Sequence, residues 1–577
     1  MTWDLKALYK DEKELEKDVT IAQDKAKSFE SICKNRLKLL SASEFIEVLR
    51  EYECISQTLG KFMTYAFLKF AGDSTNGSFY AKYQTLYSQI SEYLIFFELE
   101  FNRLPKAKQE EFIDATSKYK FYLTSLQEQK PYQLSAKEER ILLKKDITSG
   151  SAWSRLFDEH FSRLKFVFDG EKLSEEEVLS KLHNPDREVR KKAAASLSKT
   201  LKTHQPLLGY IYNMVKTDHK VECELRGYKS PEASRHIDNK ISQKSVDALI
   251  ASAENNLNLV QEYYVKKAEL LGLDTLYDYD RYAPLEAKES EYSFESSQEV
   301  VLKAFEKFSP KMAHIAKKAF DEGWIDVFPK DNKRGGAFSH PATPDAHPYV
   351  LLNHTNRRRD LFTLAHELGH AIHQYLSRDV GYLGTDTPLT TSETASVFAE
   401  MLVFDYIKDD LSPEEKISLY AGKIEDIFAT LFRQINFTTY ERAVHAHEGE
   451  LSLDELNKLW LQESKKMFGN SVKLTKQYEI WWSYIPHFIH SPFYCYAYSY
   501  GQLLVLALYG LYKSGKSSNF VDNYISFLSA GGSKSPECLI GKFDFDIESE
   551  EFWEIGIGEI KKLLEEFKGL QNVTRTT

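Results

Sequence analysis

RRRDLFTLAHELGHAIHQYL, at residues 357–376, is the stretch from which fold and chemistry are best inferred. Leu361, Leu364, Leu368 and Ile372 recur at three- and four-residue spacing. This spacing predicts an amphipathic helix with one buried side. The same helix carries an H-E-x-x-H pattern at residues 366–370.

The two histidines of this pattern are candidate metal ligands. His366 and His370 are four residues apart, so a helix places both imidazoles on one face, where one tetrahedral Zn²⁺ can bind both. Glu367 lies beside that position, where it can hold a zinc-bound water and remove its proton. The alternative is a pair of histidines in the protein core whose ring nitrogens only form hydrogen bonds with carboxylates.

A catalytic zinc needs a third protein ligand and an open fourth position. We expect Glu393, in PLTTSETASVFAEML at residues 388–402, to be that ligand, on a second helix capped by one of residues 390–392. Glu400 lies two turns further on and is expected to accept the second N–H of a ligand histidine. The alternative for Glu393 is a carboxylate that only stabilises the helix N-terminus.

Other zinc patterns fit less well. The metzincin pattern H-E-x-x-H-x-x-G-x-x-H fails, because His373 replaces the glycine and Leu376 replaces the last histidine. His373 could face the metal, but three ligands on one helix fit a tetrahedron poorly. We therefore expect it in solvent or behind the ligands.

Attack of a zinc-bound water on a carbonyl group is a hydrolysis, and it also requires a group that stabilises the oxyanion formed on that carbonyl. Residues 481–500, WWSYIPHFIHSPFYCYAYSY, supply imidazole and phenol donors, with an aromatic core as the alternative for each one singly. The candidates are His487, His490, Tyr494, Tyr496 and Tyr498.

Outside these stretches the pattern is mainly helical, as in SASEFIEVLREYECI, where Ser41 or Ser43 is a candidate cap. A segment rich in Gly and Pro before residue 355 predicts a small sheet, with strands at Gly336–Ser339 and Tyr349–Leu352. A break at Asn184-Pro185 places a domain boundary near residue 180. This predicts an N-terminal helical lobe at 1–180 and a catalytic domain at 181–577 that contains the H-E-x-x-H helix.

Composition limits the class of protein. The 577 residues are 42% hydrophobic and 28% charged, as in globular proteins, and the net charge of -11 argues against a nucleic-acid partner. Five scattered cysteines form no C-x-x-C pair, which fits a reducing compartment. The charged N-terminus does not resemble a signal peptide, and no apolar run reaches the length of a membrane span. We expect a soluble cytoplasmic protein without a membrane partner.

With these residues identified, the chain resembles oligoendopeptidase F and its relatives, the thimet-oligopeptidase-like zinc metallopeptidases. The resemblance runs along nearly the whole chain. It is carried by blocks at residues 3–9, 280–285, 336–339, 349–370, 484–488, 492–494 and 530–536.

The resemblance implies a mainly α, two-lobed helical zincin with a deep central channel and a small β-sheet beside the H-E-x-x-H helix. It implies one Zn²⁺ on His366, His370 and Glu393, with Glu367 as general base and proton shuttle. It implies oligopeptide substrates, since the channel excludes folded proteins. His487 with Tyr494 or Tyr496 would stabilise the oxyanion, although the chain departs from the family at residues 489–490.

The sheet would pair with the substrate backbone as an added strand, which makes cleavage depend weakly on side chains. The basic runs Arg357–Arg359 and Lys333–Arg334 are expected to be solvated, with capture of a peptide's terminal carboxylate as the alternative.

The predicted function is therefore zinc-dependent hydrolysis of internal bonds in short peptides by Glu-assisted attack of a zinc-bound water. Two alternatives are a zinc carboxypeptidase or dipeptidase on a similar helical frame, and a non-catalytic helical binding protein with a structural metal. The oligomeric state and a native Co²⁺ or Mn²⁺ in place of zinc stay open.

Overall fold

The computed structural model describes residues 2–285 and 290–574 and is mainly helical. The α-helices follow in chain order: α1 (Glu12–Cys33), α2 (Ala42–Gly72), α3 (Gly77–Ser91), α4 (Phe96–Arg103), α5 (Lys106–Asp114), α6 (Lys120–Gln129), α7 (Ala136–Asp146), α8 (Gly150–Phe161), α9 (Glu175–Ser180), α10 (Arg187–Arg226), α11 (Ala233–Asp238), α12 (Gln243–Asn255), α13 (Asn258–Leu270), α14 (Phe294–Phe308), α15 (Pro310–Asp321), α16 (Arg358–Ser377), α17 (Leu389–Ser392), α18 (Thr394–Ile407), α19 (Pro413–Thr430), α20 (Phe432–Ala446), α21 (Leu453–Phe468), α22 (His487–His490), α23 (Tyr496–Ser514), α24 (Phe520–Ser529), α25 (Pro536–Ile540) and α26 (Glu550–Thr574).

Two small sheets accompany the helices. The first is an antiparallel hairpin of β1 (Phe166–Phe168) and β2 (Glu171–Leu173). The second has the strand order β3-β5-β4, with β3 (Ile325–Asp326) parallel and β4 (Phe338–His340) antiparallel to β5 (Tyr349–Leu351). The predicted strands at 336–339 and 349–352 are therefore present with slightly different ends, and β3 was missed because two residues show no periodicity.

The chain forms two compact units, each built from three segments. The first unit contains Met1–Lys130, Glu289–Asp410 and Leu511–Phe545, and the second contains Pro131–Lys288, Leu411–Gly510 and Asp546–Thr577. By this division residue 180 lies inside the second unit. The predicted domains 1–180 and 181–577 and the two-lobed arrangement with a channel stay predictions.

In the first unit, α1 to α6 bury aromatic and aliphatic side chains in one core that extends to Tyr349 of β5. Ser41 is the cap of α2: it accepts the backbone N–H of Glu44, whose carboxylate accepts the backbone N–H of Ser41 in return. One of the two predicted caps is thereby confirmed. The packing places the β3-β5-β4 sheet against the core of this unit.

Helix α18 of the first unit is buried on nearly every side, because its residues are apolar all round. Phe398 packs against Tyr524 of α24 at a ring-centroid distance of 4.4 Å and against Phe308 of α14 at 5.0 Å. The Tyr524 hydroxyl also donates to the carbonyl of Thr394, 2.9 Å away. These contacts hold the first half of α18 against α14 and α24.

In the second unit, the 40-residue helix α10 packs against α8, β1 and residues 476–484. Its first turn holds the buried Asp280 through Arg187 and Arg190, at 2.8 and 2.9 Å. Residues 184–186 lie outside the helices, so the predicted break at Asn184-Pro185 is confirmed.

The mainly helical fold with a small sheet is confirmed. Within the described ranges, no helix is both long and apolar enough to cross a membrane.

Candidate active site

Helices α16 and α18 pack closely at Gly369. A Cβ atom built on Gly369 would lie 2.5 Å from the carbonyl oxygen of Ala395 and 2.6 Å from the Cα of Ser396. Only glycine fits there, because the clashing atoms belong to a backbone that cannot rotate aside. The glycine inside the H-E-x-x-H pattern therefore lets the start of α18 reach the two histidines.

His366, His370 and Glu393 converge on one point. The two Nε2 atoms are 3.2 Å apart, and each lies 3.4 Å from Oε2 of Glu393. A tetrahedron whose corners are about 2.0–2.1 Å from its centre has edges of about 3.3–3.4 Å, so the three atoms fit three ligands of one Zn²⁺. Among the described residues, this trio is the cluster of His, Cys, Asp and Glu that could hold a metal ion.

Glu400 orients the first histidine. Nδ1 of His366 lies 2.6 Å from Oε1 of Glu400, about one turn along α18 from the Ser396 that contacts Glu393. With Nδ1–H donated to this carboxylate, Nε2 keeps its lone pair for a metal. The contact predicted for Glu400 is thus present.

The site is electrostatically suited to a cation. Burial lowers the pKa of His366, but the hydrogen bond to Glu400 and the charges of Glu400, Glu393 and Glu367 raise it to about 9. Burial raises the pKa of Glu393, but the His370 hydrogen bond, both imidazoles and the Ser396 hydroxyl lower it to about 2. The carboxylate is ionised, and the negative field that holds a proton on His366 also favours a metal ion.

The cap predicted for the second helix is wrong. None of residues 390–392 caps α18; Glu393 itself occupies the N-cap position, with φ -79 and ψ -2 and without a side-chain cap bond. The reason is that α17 runs directly into α18, so the chain stays helical and provides no extended cap residue. The Glu393 carboxylate is consequently free for the histidines and for Ser396, which donates to it at 2.7 Å.

Glu367 is positioned to act as a base. It is only 7% exposed, and its carboxylate has no hydrogen bond or ion pair among the described residues. Burial raises its pKa above the ordinary value, against the lowering effect of His366 and His370. An unpartnered carboxylate beside the ligands can accept a proton from a water molecule.

His373 lines the same cleft but is not one of the three converging ligands. It is buried, and its ring bonds to the backbone of Ser392. Burial and the neighbouring His370 lower its pKa to about 4, so it is neutral. Its role is to join α16 to α17.

A cleft of about 380 Å³ opens over this site within the first unit. Phe338 and Ser339 of β4 form one wall, and His366, Glu367 and His370 form the other. Ser339 is tied to α16, because its hydroxyl donates to Oε1 of Gln374 at 2.7 Å. The cleft therefore runs between the edge strand of the sheet and the ligand helix.

The backbone of Ser339 faces this open edge. The N–H of Val350 in β5 donates to the carbonyl of Trp324 on the β3 side. The backbone N–H and C=O groups of its neighbours in β5, Tyr349 and Leu351, therefore point toward β4. Ser339 pairs with Val350 and therefore points its own N–H away from β5, toward the cleft. Within the described ranges no strand pairs with that side of β4.

Replacing Glu400 by Gln is expected to weaken zinc binding about 10- to 100-fold, because the amide no longer holds His366 by a charged hydrogen bond. Competition with a chromophoric chelator measures the affinity. Glu110→Gln, an exposed change on α5, is the matched control and should leave the affinity as it is. Equal affinities for the two variants would contradict the role of Glu400.

The predicted oxyanion donors belong to the second unit. His487 lies 3.3 Å from the hydroxyl of Tyr498, and the ring of Tyr494 packs on both, at centroid distances of 6.0 and 5.1 Å. Burial lowers the pKa of His487, so its imidazole is neutral at pH 7. His490 instead pairs with Asp158 at 2.9 Å.

The structure does not favour Tyr496 as a donor to substrate. The side chain is fully buried, and its hydroxyl already contacts Nδ1 of His236 at 2.9 Å and Nδ2 of Asn239 at 3.0 Å. The sequence pattern could not separate it from Tyr494, because both belong to one aromatic run.

Sequence reasoning missed what holds Tyr494. Phe493 has φ +58, a left-handed conformation that costs energy for a bulky residue. The buried Glu441 accepts the Phe493 N–H at 2.9 Å, and Arg235 lies over the Tyr494 ring at 5.7 Å. These partners come from elements far away in sequence, so no local signal indicates them.

Comparison with known proteins agrees with this geometry. The model of peptidase family M3 matches residues 180–559, and the model described as Oligopeptidase F matches residues 100–166. The first match covers more than half of the chain.

Full-length relatives point to the same family. Oligopeptidase PepF of Bacillus subtilis is 29% identical over 552 residues, covering 92% of this chain and 81% of the relative. An oligoendopeptidase F homolog of Lactococcus lactis is 27% identical and covers 98% of this chain and 97% of the relative.

Solved structures share the fold. A candidate peptidase of Chlamydophila abortus superposes with a TM-score of 0.91 at 25% identity, covering 99% of this chain and 98% of the other. Oligoendopeptidase-F of Enterococcus faecium superposes with a TM-score of 0.71 at 22% identity, covering 97% and 99% of the two chains. This chain is therefore a metallopeptidase of family M3, in the oligopeptidase F subgroup.

Proposed function

We propose that the protein is a zinc-dependent endopeptidase that hydrolyses internal bonds of short peptides, with Glu367 as the general base. The observation that carries the proposal is the convergence of three ligand atoms at 3.2–3.4 Å beside an unpartnered carboxylate.

His366, His370 and Glu393 would hold the zinc, and Glu400 would keep His366 in the tautomer that binds it. When bound, zinc supplies Lewis acidity, which polarises the scissile carbonyl and makes the attacking water more acidic. The Glu367 carboxylate accepts one proton as the water oxygen bonds to the carbonyl carbon. Glu367 then returns that proton to the nitrogen as the C–N bond breaks, so it ends the cycle ionised.

The edge of β4 would align the substrate. The Ser339 N–H can donate to a carbonyl of an extended peptide, which then adds to the sheet as a further strand. Backbone pairing is independent of side-chain identity, so we propose a broad choice of cleavage site. The restriction to short peptides is taken from the resemblance to oligoendopeptidase F.

The oxyanion donors stay a proposal that rests on that resemblance. His487 and Tyr494 are the preferred pair, with Tyr498 next to them, and Tyr496 is set aside for the reason given above. A cytoplasmic location is likewise proposed from the sequence composition alone.

Digestion of peptides blocked at both ends tests the endopeptidase function. We expect a mixture of blocked octapeptides to be cleaved internally, and we expect a zinc chelator to abolish cleavage, as read by mass spectrometry. A carboxypeptidase or dipeptidase would cut only the unblocked versions of the same peptides. A binding protein with a structural metal would cut neither set.

A further inference from the structure

A second cleft, of about 370 Å³, adjoins the first within the same unit. The two clefts share Ala337 and Glu367 in their walls. The second cleft then continues along the N-terminal part of α16, where Thr363, Arg359 and Arg357 line it. It therefore begins at the proposed base and leads away from the ligand histidines.

Two unpaired positive charges stand at the outer part of this cleft. Arg357 and Arg359 are exposed, and neither guanidinium has an ion pair among the described residues. Asp360 also lines the cleft, but its Oδ2 atom already accepts from the Thr355 N–H, the Thr355 hydroxyl and the Arg357 N–H.

The other members of the two basic runs, Arg357–Arg359 and Lys333–Arg334, are buried or have other partners. Arg358 is buried, and Lys333 is held by Asp326 at 2.7 Å. Arg334 lies over the rings of Phe67 and Phe338. Arg357 and Arg359 are thus the members of the runs that line the second cleft.

The distance along α16 sets the length of peptide that the cleft can take. Arg359, Thr363 and Glu367 are spaced by four residues and share one face, and eight residues of helix span about 12 Å. An extended peptide advances about 3.3 Å per residue. A group bound at Arg359 therefore lies three or four residues from the bond next to Glu367.

The direction of β4 sets which end of the peptide enters. Ser339 bonds to Gln374, toward the C-terminal end of α16, whereas Gly336 and Ala337 line the second cleft. Strand β4 thus runs away from the second cleft. Antiparallel pairing is the more stable and the commoner arrangement, so we take the peptide to be antiparallel to β4; it then runs toward the second cleft and places its C-terminal residues there.

We propose that the second cleft binds the C-terminal part of the substrate, and that Arg359 with Arg357 binds a carboxylate three or four residues beyond the scissile bond. The carboxylate can be the free C-terminus or an acidic side chain at that position. The proposal rests on the proposed peptidase function and adds to it a preference among substrates.

Three quenched fluorescent peptides of one sequence test this preference. All are blocked at the N-terminus and have a single cleavage site; they end four residues later in a free acid, in an amide, or in an amide preceded by Glu. Because an ion pair with an exposed guanidinium contributes about 0.2–1 kcal/mol, we expect kcat/KM to be about 1.5- to 5-fold higher for the acid than for the plain amide. The Glu arm shows whether a side-chain carboxylate substitutes for the terminal one.

Variants of the full chain assign the effect to the arginine. Arg359→Gln should bring the ratio of kcat/KM for the acid to that for the amide close to one. Arg359→Lys should retain part of this ratio, since lysine keeps the positive charge but lacks the paired N–H donors of the guanidinium. Arg103→Gln, an exposed change in the same unit, is the matched control and should keep the full ratio.

Two results would overturn the proposal. One is equal kcat/KM values for the acid and the amide with the unchanged protein. The other is an Arg359→Gln variant that cleaves both peptides more slowly but keeps the same acid-to-amide ratio. Cleavage of neither peptide would instead contradict the peptidase function itself, so the two failures are distinguishable.

Discussion

Replacing Glu367 by Gln is expected to lower kcat by at least about 10³-fold while zinc stays bound. The amide has nearly the shape of the carboxylate but cannot accept a proton, so both the activation of water and the protonation of the leaving nitrogen are lost. The side chain is buried and unpartnered, so the change breaks no existing contact. Steady-state rates with a blocked peptide and zinc content by mass spectrometry measure the two quantities.

Glu393→Gln is the matched comparison for this variant. It changes a carboxylate in the same cluster, but one that we assign to the metal, so we expect both zinc and activity to be lost. A Glu367→Gln protein that loses its zinc, or that keeps more than about a tenth of the rate, would refute the assignment of Glu367 as the base.

Replacing Gly369 by Ala is expected to destabilise the protein by about 1–3 kcal/mol and to weaken zinc binding at least about 100-fold. The added methyl group would meet the backbone of Ala395 and Ser396 at 2.5–2.6 Å, so α18 must move. Movement of α18 carries Glu393 and Glu400 away from the histidines. Thermal denaturation with and without zinc, together with chelator competition, measures both effects.

Gly422→Ala is the control for this prediction. Gly422 is an exposed helical glycine in α19, and a Cβ there would meet no atom within 4 Å. Alanine favours the helix more than glycine does, so this control should be neutral or slightly stabilising. Normal zinc affinity in Gly369→Ala would show that α18 does not depend on this close approach.

Local patterns in the sequence were enough to predict the metal ligands as candidates and much of the frame around them. The four-residue spacing of His366 and His370 predicts that both side chains lie on one face of a helix. Glu393 and Glu400 lie seven residues apart, two turns of one helix, so one prediction covered both. The cap of α2 and the strands on either side of the Pro-rich turn also follow from neighbouring residues.

The ends of elements depended on what surrounds them. Glu393 became the N-cap of α18 because α17 runs straight into that helix, which a search for a Ser or Thr cap does not reveal. Strand β3 has two residues and exists because β5 pairs with it.

By itself, the sequence determined which side chains share a face and which chemistry they can perform. Only the tertiary structure decided what each face contacts. It requires a glycine at position 369, and it encloses Tyr496 while Tyr494 packs beside His487. It also places Arg359 in the wall of a cleft and buries Arg358. The physical reason is that periodicity is a property of neighbours in the chain. Burial, partnership and access to substrate depend on residues tens or hundreds of positions away.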